Sequence, residues 1–287
     1  MVEQEIIDLY DEYTHTGMDR RSFLNKLSLL AGGTIVAMAL LPLLENNEIL
    51  AATISEKDAR IEAGYIKYPG FQSKVRAYMA QPKNGKTQIP GVVVIHENKG
   101  LHPHIEDITR RLALEGFLAL APDALSSMGG TPSDPDQAKQ WIRHLDMIKI
   151  RNDFLQAVNF LEFHPNSSGV VGCIGFCWGG AMANQLAVHS MNLKAAVSFY
   201  GRQPKSADVP EIQSPILLHY AGLDQRINQG IPNFVEALDQ AKIQYEMYRY
   251  EGVNHAFHND TNVARYNATA AKLAWKRTVK FLKMNLS

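Results

Sequence analysis

The chain has 287 residues and is 46% hydrophobic, enough apolar material for a substantial core. Its 29 basic residues balance 29 acidic ones, so there is no electrostatic case for a nucleic-acid partner. No internal repeat or low-complexity tract is present, which argues against a solenoid or a disordered arm.

The chain opens with a polar, acidic segment from Met1 to Met18. Asp19-Arg20-Arg21-Ser22-Phe23-Leu24-Asn25-Lys26 then precedes an apolar stretch, Leu27 to Leu44, broken by Ser28, Gly32, Gly33 and Pro42. This pattern resembles a twin-arginine export signal running into Leu50-Ala51-Ala52. It implies a leader over residues 1–52, a periplasmic or extracytoplasmic destination, and membrane contact only in transit. The glycines and the proline make the stretch marginal as a membrane-spanning helix. The alternative is an amphipathic N-terminal helix that packs on the following domain or holds a membrane surface, in a protein that stays in the cytoplasm.

Residues 53–287 read as one domain in which strands alternate with helices. Ile61 to Tyr68 and Val75 to Gln81 predict a hairpin. Gly91-Val92-Val93-Val94-Ile95, bounded by Pro90, is a near-continuous apolar run, as expected of a strand buried on both faces. A helix is expected over 105–115, a strand over 117–121, and two helical pieces over 134–163, parted around 145–149. Strands follow at 170–174, 195–200, 215–221 and 245–250, with helices at 181–189, 231–241 and 263–284. This order predicts an α/β fold with a mainly parallel central sheet and helices on both faces, its site at the C-terminal strand ends.

Three of those strand ends carry chemistry. Gly175-Phe176-Cys177-Trp178-Gly179-Gly180 lies between a strand and a helix, and is a nucleophile elbow with cysteine in place of serine. The flanking glycines permit close approach of neighbouring chain, and the helix N-terminus favours thiolate. Asp224 follows the strand at 215–221, and His255 follows the strand at 245–250. Nucleophile, acid, base is the chain order of the α/β-hydrolase fold. His255 would carry the proton and Asp224 would fix its tautomer. Trp178 N–H would form one half of an oxyanion hole and Asn98 N–H the other.

These segments resemble the dienelactone hydrolase family. The likeness rests on His96-Glu97-Asn98-Lys99-Gly100-Leu101, Ala121-Pro122-Asp123, the G-F-C-W-G-G elbow, Gly222-Leu223-Asp224 and Asn254-His255-Ala256-Phe257, and covers residues 60–285. It implies an α/β-hydrolase fold and cleavage of carboxylic esters or lactones through a Cys177-His255-Asp224 triad and an acyl-enzyme. It also implies that Glu97 lies near the resting cysteine and takes part in its activation. Where the family carries two arginines that bind a substrate carboxylate, this chain has Asn259 and Pro135. That departure implies that neutral esters do comparatively well, unless Arg143, Arg151, Arg202 or Arg226 replaces the clamp. A thioesterase or acyltransferase could use the same triad. A non-catalytic, ligand-binding relative is expected to have lost one of the three residues, and none is lost.

The reading calls for no cofactor, and small-molecule substrates are the expected partners. His96, His102 and His104 have a loose metal-like spacing but no carboxylate pattern, and we expect no metal there. Cys173 reads as a small core hydrophobe rather than a disulfide partner of Cys177.

Overall fold

A computed structural model describes residues 2–45, 53–83 and 88–287. The leader boundary expected at Leu50-Ala51-Ala52 lies outside the described residues. Eight strands form one sheet in the order β1-β2-β4-β3-β5-β6-β7-β8. They are Ile61–Pro69 (β1), Lys74–Pro82 (β2), Ile89–Ile95 (β3), Leu118–Pro122 (β4), Ser167–Phe176 (β5), Leu193–Phe199 (β6), Ile216–Ala221 (β7) and Tyr245–Tyr250 (β8). β1 and β2 form the antiparallel hairpin, β2 also runs antiparallel to β4, and every pairing from β4 to β8 is parallel. This is the α/β-hydrolase arrangement that the alternation of elements implies.

The central strands are apolar throughout because both faces are covered. Val93 and Ile95 of β3 enter the core beneath Met147–Glu162 (α6) and Trp178–His189 (α7), with Phe154, Leu161, Met182 and Leu186. Val92 and Val94 enter the opposite core, beneath Pro103–Leu114 (α4) and Ala268–Asn285 (α10), with Ile108, Leu112 and Phe281. Each fully buried Val, Leu or Ile on these strands contributes about 1.5–3 kcal/mol relative to exposure. Pro135–Arg143 (α5), Gln225–Asn228 (α8) and Ile231–Gln240 (α9) complete the set that follows the sheet.

The C-terminal helix starts at Ala268, five residues later than its apolar pattern predicts. Asn267 caps it, accepting from Ala270 N–H, and the preceding residues turn on the side chains of Asn259 and Asn262. Asparagine's local hydrogen bonding to backbone explains the delay.

The N-terminal segment folds as three helices, Gln4–His15 (α1), Arg20–Leu30 (α2) and Thr34–Leu44 (α3). Leu9, Tyr10, Tyr13, Phe23, Leu27, Leu41 and Leu44 form a small core of their own, joined by Ala264. Asp19 caps α2. Among the described residues no single helix is long and apolar enough to cross a membrane. α2 and α3 pass that test only together, and they are bent by 114°. The three helices lie against the C-terminal strand ends. Gln4 donates to Asn254 (2.6 Å), Tyr13 to Asp136 (2.6 Å), Asn98 to the Thr14 carbonyl (2.8 Å), and Ala264 N–H to the Leu43 carbonyl (3.0 Å).

Candidate active site

Cys177 sits between β5 and α7 with φ 57° and ψ −114°, a conformation rarely adopted by non-glycine residues. Neighbouring backbone packs tightly enough to hold it there. A Cβ on Gly175 would stand 1.9 Å from the Gly179 carbonyl oxygen, and one on Gly179 would stand 2.3 Å from that of Ile95. Both contacts are backbone to backbone and cannot be relieved by a rotamer. Gly175→Ala is therefore expected to cost about 3 kcal/mol or more, read as a lower denaturant midpoint at unchanged slope. A midpoint equal to the parent's would show that the elbow is looser than this geometry.

Asp224 caps α8, one carboxylate oxygen accepting from Ile227 N–H (3.2 Å) and the other facing His255 Nδ1 in a close contact. His255 is buried. Among the described residues its Nε2 has no hydrogen-bond partner, and the ring lies in a group with Cys177 and His15 in which one nitrogen of each imidazole and the sulfur are within 4.8 Å of one another. Burial alone would lower the His255 pKa, but the charges of Asp224, Cys177 and Asp11 outweigh it and raise the imidazole to about 10. Burial would likewise raise the Cys177 thiol, but the imidazoles of His15 and His255 bring it down to about 6. Cys173, by contrast, is fully buried in the apolar core and pushed up to about 12.

His15 is the residue that sequence reasoning missed. At the C-terminal end of α1, its Nε2 lies 3.1 Å from Cys177 Sγ, and its ring meets the His255 ring edge-on at 4.7 Å. It brings Asp11 with it, which also pairs with Arg226 (3.4 Å) and Arg265 (3.7 Å). One histidine in a polar segment gives no signal alone. The signal available is the buried face of α1, with Ile6, Leu9, Tyr10 and Tyr13, which calls for a packing partner.

A cavity of about 380 Å³ opens onto the sulfur, and Asn98, Trp178 and Tyr200 line it with His15 and His255. As the first residue of α7, Trp178 has an N–H without an intrahelical acceptor. Glu97 lines a narrower space with Cys177 and His255. It accepts from Asn259 Nδ2 (2.7 Å), so Asn259 binds Glu97 rather than projecting a charge toward substrate. Burial would raise the Glu97 pKa, but the charges of His102, His104 and Arg265 and the Asn259 amide hold it low.

Pro135 begins α5 and faces a separate cavity. Arg143, Arg202 and Arg226 line the Cys177 cavity, whereas Arg151 contacts His189 instead. Among the described residues Arg143 and Arg202 form no ion pair, while Arg226 is held by Asp11. His96 is satisfied internally, contacting the Glu97 carbonyl (2.6 Å) and accepting from Ala124 N–H (3.1 Å); His104 pairs with Asp260 (2.9 Å).

Comparison with known proteins gives a match to the Dienelactone hydrolase family over residues 75–286, and a second match, described as YqhI-like, over residues 2–32. A relative from Escherichia coli named "Putative carboxymethylenebutenolidase" is 33% identical over 250 residues, covering 82% of this chain and 92% of its own. A relative of the same name from Saccharolobus solfataricus is 34% identical over 261 residues, covering 76% and 97%. The crystal structure of a "Putative Dienelactone Hydrolase" from Klebsiella pneumoniae superposes with TM-score 0.72 at 30% identity, covering 78% of this chain and 98% of that one.

Proposed function

Because the chain belongs to the dienelactone hydrolase family, we propose that it hydrolyses carboxylic esters or lactones with Cys177 as nucleophile, His255 as proton carrier and Asp224 as its orienting acid. The observation that supports this most strongly is the Asp224–His255 contact, with the unpartnered Nε2 beside a sulfur held at a strained elbow. The sulfur attacks the acyl carbon, a C–S bond forms, and the carbonyl electrons move to oxygen. The N–H groups of Trp178 and Asn98 receive that oxyanion. Collapse breaks the C–O bond, and His255 gives its proton to the leaving oxygen. His255 then takes a proton from water as the water attacks the thioester, and the sulfur departs as thiolate. The test is turnover of a panel of small esters and lactones. If the parent cleaves none of them, the reading fails.

The cavity's cations bear on substrate charge. Asn259 and Pro135, in place of the two arginines, imply weak discrimination in favour of an anionic substrate, but among the described residues Arg143 and Arg202 form no ion pair on the wall of the Cys177 cavity. A charge-assisted hydrogen bond contributes about 1.5–3 kcal/mol, enough for a preference of about tenfold or more. The enzyme is therefore expected to favour a carboxylate-bearing ester or lactone over a neutral one of equal size. The preference should shrink as ionic strength rises and in Arg143→Ala or Arg202→Ala. Equal kcat/KM for both substrates would assign these arginines no part in recognition.

A further inference from the structure

We propose that His15 is a catalytic residue: the imidazole that α1 brings to Cys177 as its standing ion-pair partner, leaving His255 free to carry protons to and from the substrate. The inference rests on the reading of Cys177 as the nucleophile.

The hydrogen-bond pattern around the ring fixes its chemistry. His15 Nδ1 faces the Asp11 carbonyl oxygen (2.9 Å) and an Asp11 carboxylate oxygen (3.2 Å), neither of which can donate, and the Thr14 hydroxyl (3.1 Å), which donates its hydrogen to the Asp11 carbonyl (3.1 Å). Nδ1 therefore carries a hydrogen, and the other ring nitrogen, Nε2, is aimed at Sγ (3.1 Å). An Nε2 in that position takes the thiol proton and then donates it back as a hydrogen bond to the thiolate. Asp11-His15-Cys177 thus repeats the connectivity of Asp224-His255-Cys177, from an element outside the sheet and with the two imidazole rings in edge-on contact.

Two helix ends favour the charge separation. Cys177 stands at the N-terminus of α7, where the dipole stabilises an anion, and His15 closes α1, where it stabilises a cation. The surrounding charges are mixed. Asp11 comes from α1, Glu97 and Lys99 from the loop after β3, Arg202 from the loop after β6, Asp224 and Arg226 from β7–α8, His255 and Arg265 from the loop after β8, and Lys139 and Arg143 from α5. Burial would raise Asp11, but His255, His15 and Arg226 hold its carboxyl well below the usual carboxylate range, so it faces His15 as an anion.

In the cycle above, a single histidine would have to hold the thiolate and also give up its proton to the leaving oxygen. With His15 beside it, the thiolate has an imidazolium partner up to the moment of attack, and His255 keeps its own proton for the leaving oxygen and then accepts one from water. When the thioester breaks, the departing sulfur meets the His15 imidazolium, which has kept its proton throughout. No oxidant, reductant or co-reactant enters beyond substrate and water.

The experiment is the pH dependence of Cys177 alkylation by iodoacetamide in the full-length chain, for the parent, His15→Ala and His15→Gln, beside their kcat/KM on an ester. Parent alkylation should titrate near pH 6. His15→Ala should move the midpoint up by about one unit or more, because a cation beside the thiolate is gone. Turnover should fall about 10- to 100-fold, with partial recovery on adding free imidazole. His15→Gln, which keeps a donor but not the charge, should also titrate above the parent. It stands in should the alanine variant fold poorly. Alkylation reads the sulfur without substrate, so it separates this proposal from the one beneath it. An unchanged midpoint in both variants overturns the role of His15 while leaving the triad intact. A rise in turnover in His15→Ala also overturns it and makes α1 a plug. Parental activity in Cys177→Ala overturns the nucleophile itself.

Discussion

Cys177→Ala is expected to lower kcat/KM toward a small ester by about 10⁴-fold or more, because in the proposed mechanism nucleophile and proton carrier act as a unit and neither works without the other. Cys173→Ala should retain most of the activity, at a stability cost of about 1 kcal/mol for the small void it leaves. The contrast follows from environment. Both thiols are largely inaccessible, but Cys177 opens onto the 380 Å³ cavity between two imidazoles, whereas Cys173 is sealed among Val93, Val171 and Ala183. One thiolate is therefore populated at neutral pH and the other is not. Iodoacetamide, followed by peptide mapping, should modify Cys177 and spare Cys173. Parental turnover in Cys177→Ala would end the assignment of the elbow as the reacting centre.

The strand ends that carry the candidate site were legible because they announce themselves locally. An apolar run stops, a glycine or polar turn begins, and a chemically capable residue stands just beyond it, as at Ile95-His96-Glu97, Phe176-Cys177 and Ala221-Gly222-Leu223-Asp224. Glycine spacing at the elbow is partly local: the 1.9 Å approach of Gly175 to Gly179 follows from the turn, whereas the 2.3 Å approach of Gly179 to Ile95 depends on β3 lying alongside. The pairing of Asn259 with Glu97 was not legible. Both residues were singled out, but a 2.7 Å contact across 162 positions leaves no trace in spacing. The arginines that line the cavity were candidates from sequence, and only the packing of α5 and the loop after β6 separates Arg143 and Arg202 from Arg151.

The N-terminal segment shows why one pattern admits two readings. Asp19-Arg20-Arg21 before an apolar stretch has the look of an export signal. The same residues supply an N-cap and a solvent-facing first turn for α2, whose Phe23 and Leu27 then pack against α1. Arg20 is bound to Glu45 (2.9 Å) and Asp136 (3.2 Å), so it ties α2 both to the end of α3 and to α5. Composition cannot separate a hydrophobic stretch destined for a membrane from one that covers a neighbouring face. The bend of 114° at Gly32-Gly33 and the inward aim of His15 are properties of the folded chain alone.

Asp224→Asn should lower kcat/KM by about 10³- to 10⁴-fold while leaving the fold intact, since asparagine is nearly the same shape. The asparagine carbonyl would take the place of the oxygen that accepts from Ile227 N–H, turning its NH2 toward His255 Nδ1. Nδ1 would then have to accept, the ring hydrogen would move to Nε2, and the imidazole would have no lone pair facing the sulfur or the attacking water. The pH profile should change as well. In the parent, the Asp224 anion is the foremost influence raising His255, to about 10, and in the proposed cycle the imidazolium protonates the leaving oxygen, so activity is expected to fall as pH rises through that value. Removing the anion lowers the His255 pKa, so the alkaline limb of kcat/KM should move to lower pH by about one unit or more. The acid limb, governed by Cys177 between its two histidines, should move up, because a weaker His255 cation stabilises the thiolate less. A narrowed bell on a strongly reduced rate is the expected result. An unshifted alkaline limb in Asp224→Asn would mean that Asp224 does not set the charge of His255, and would return the search for the orienting acid to Asp11 and Glu97.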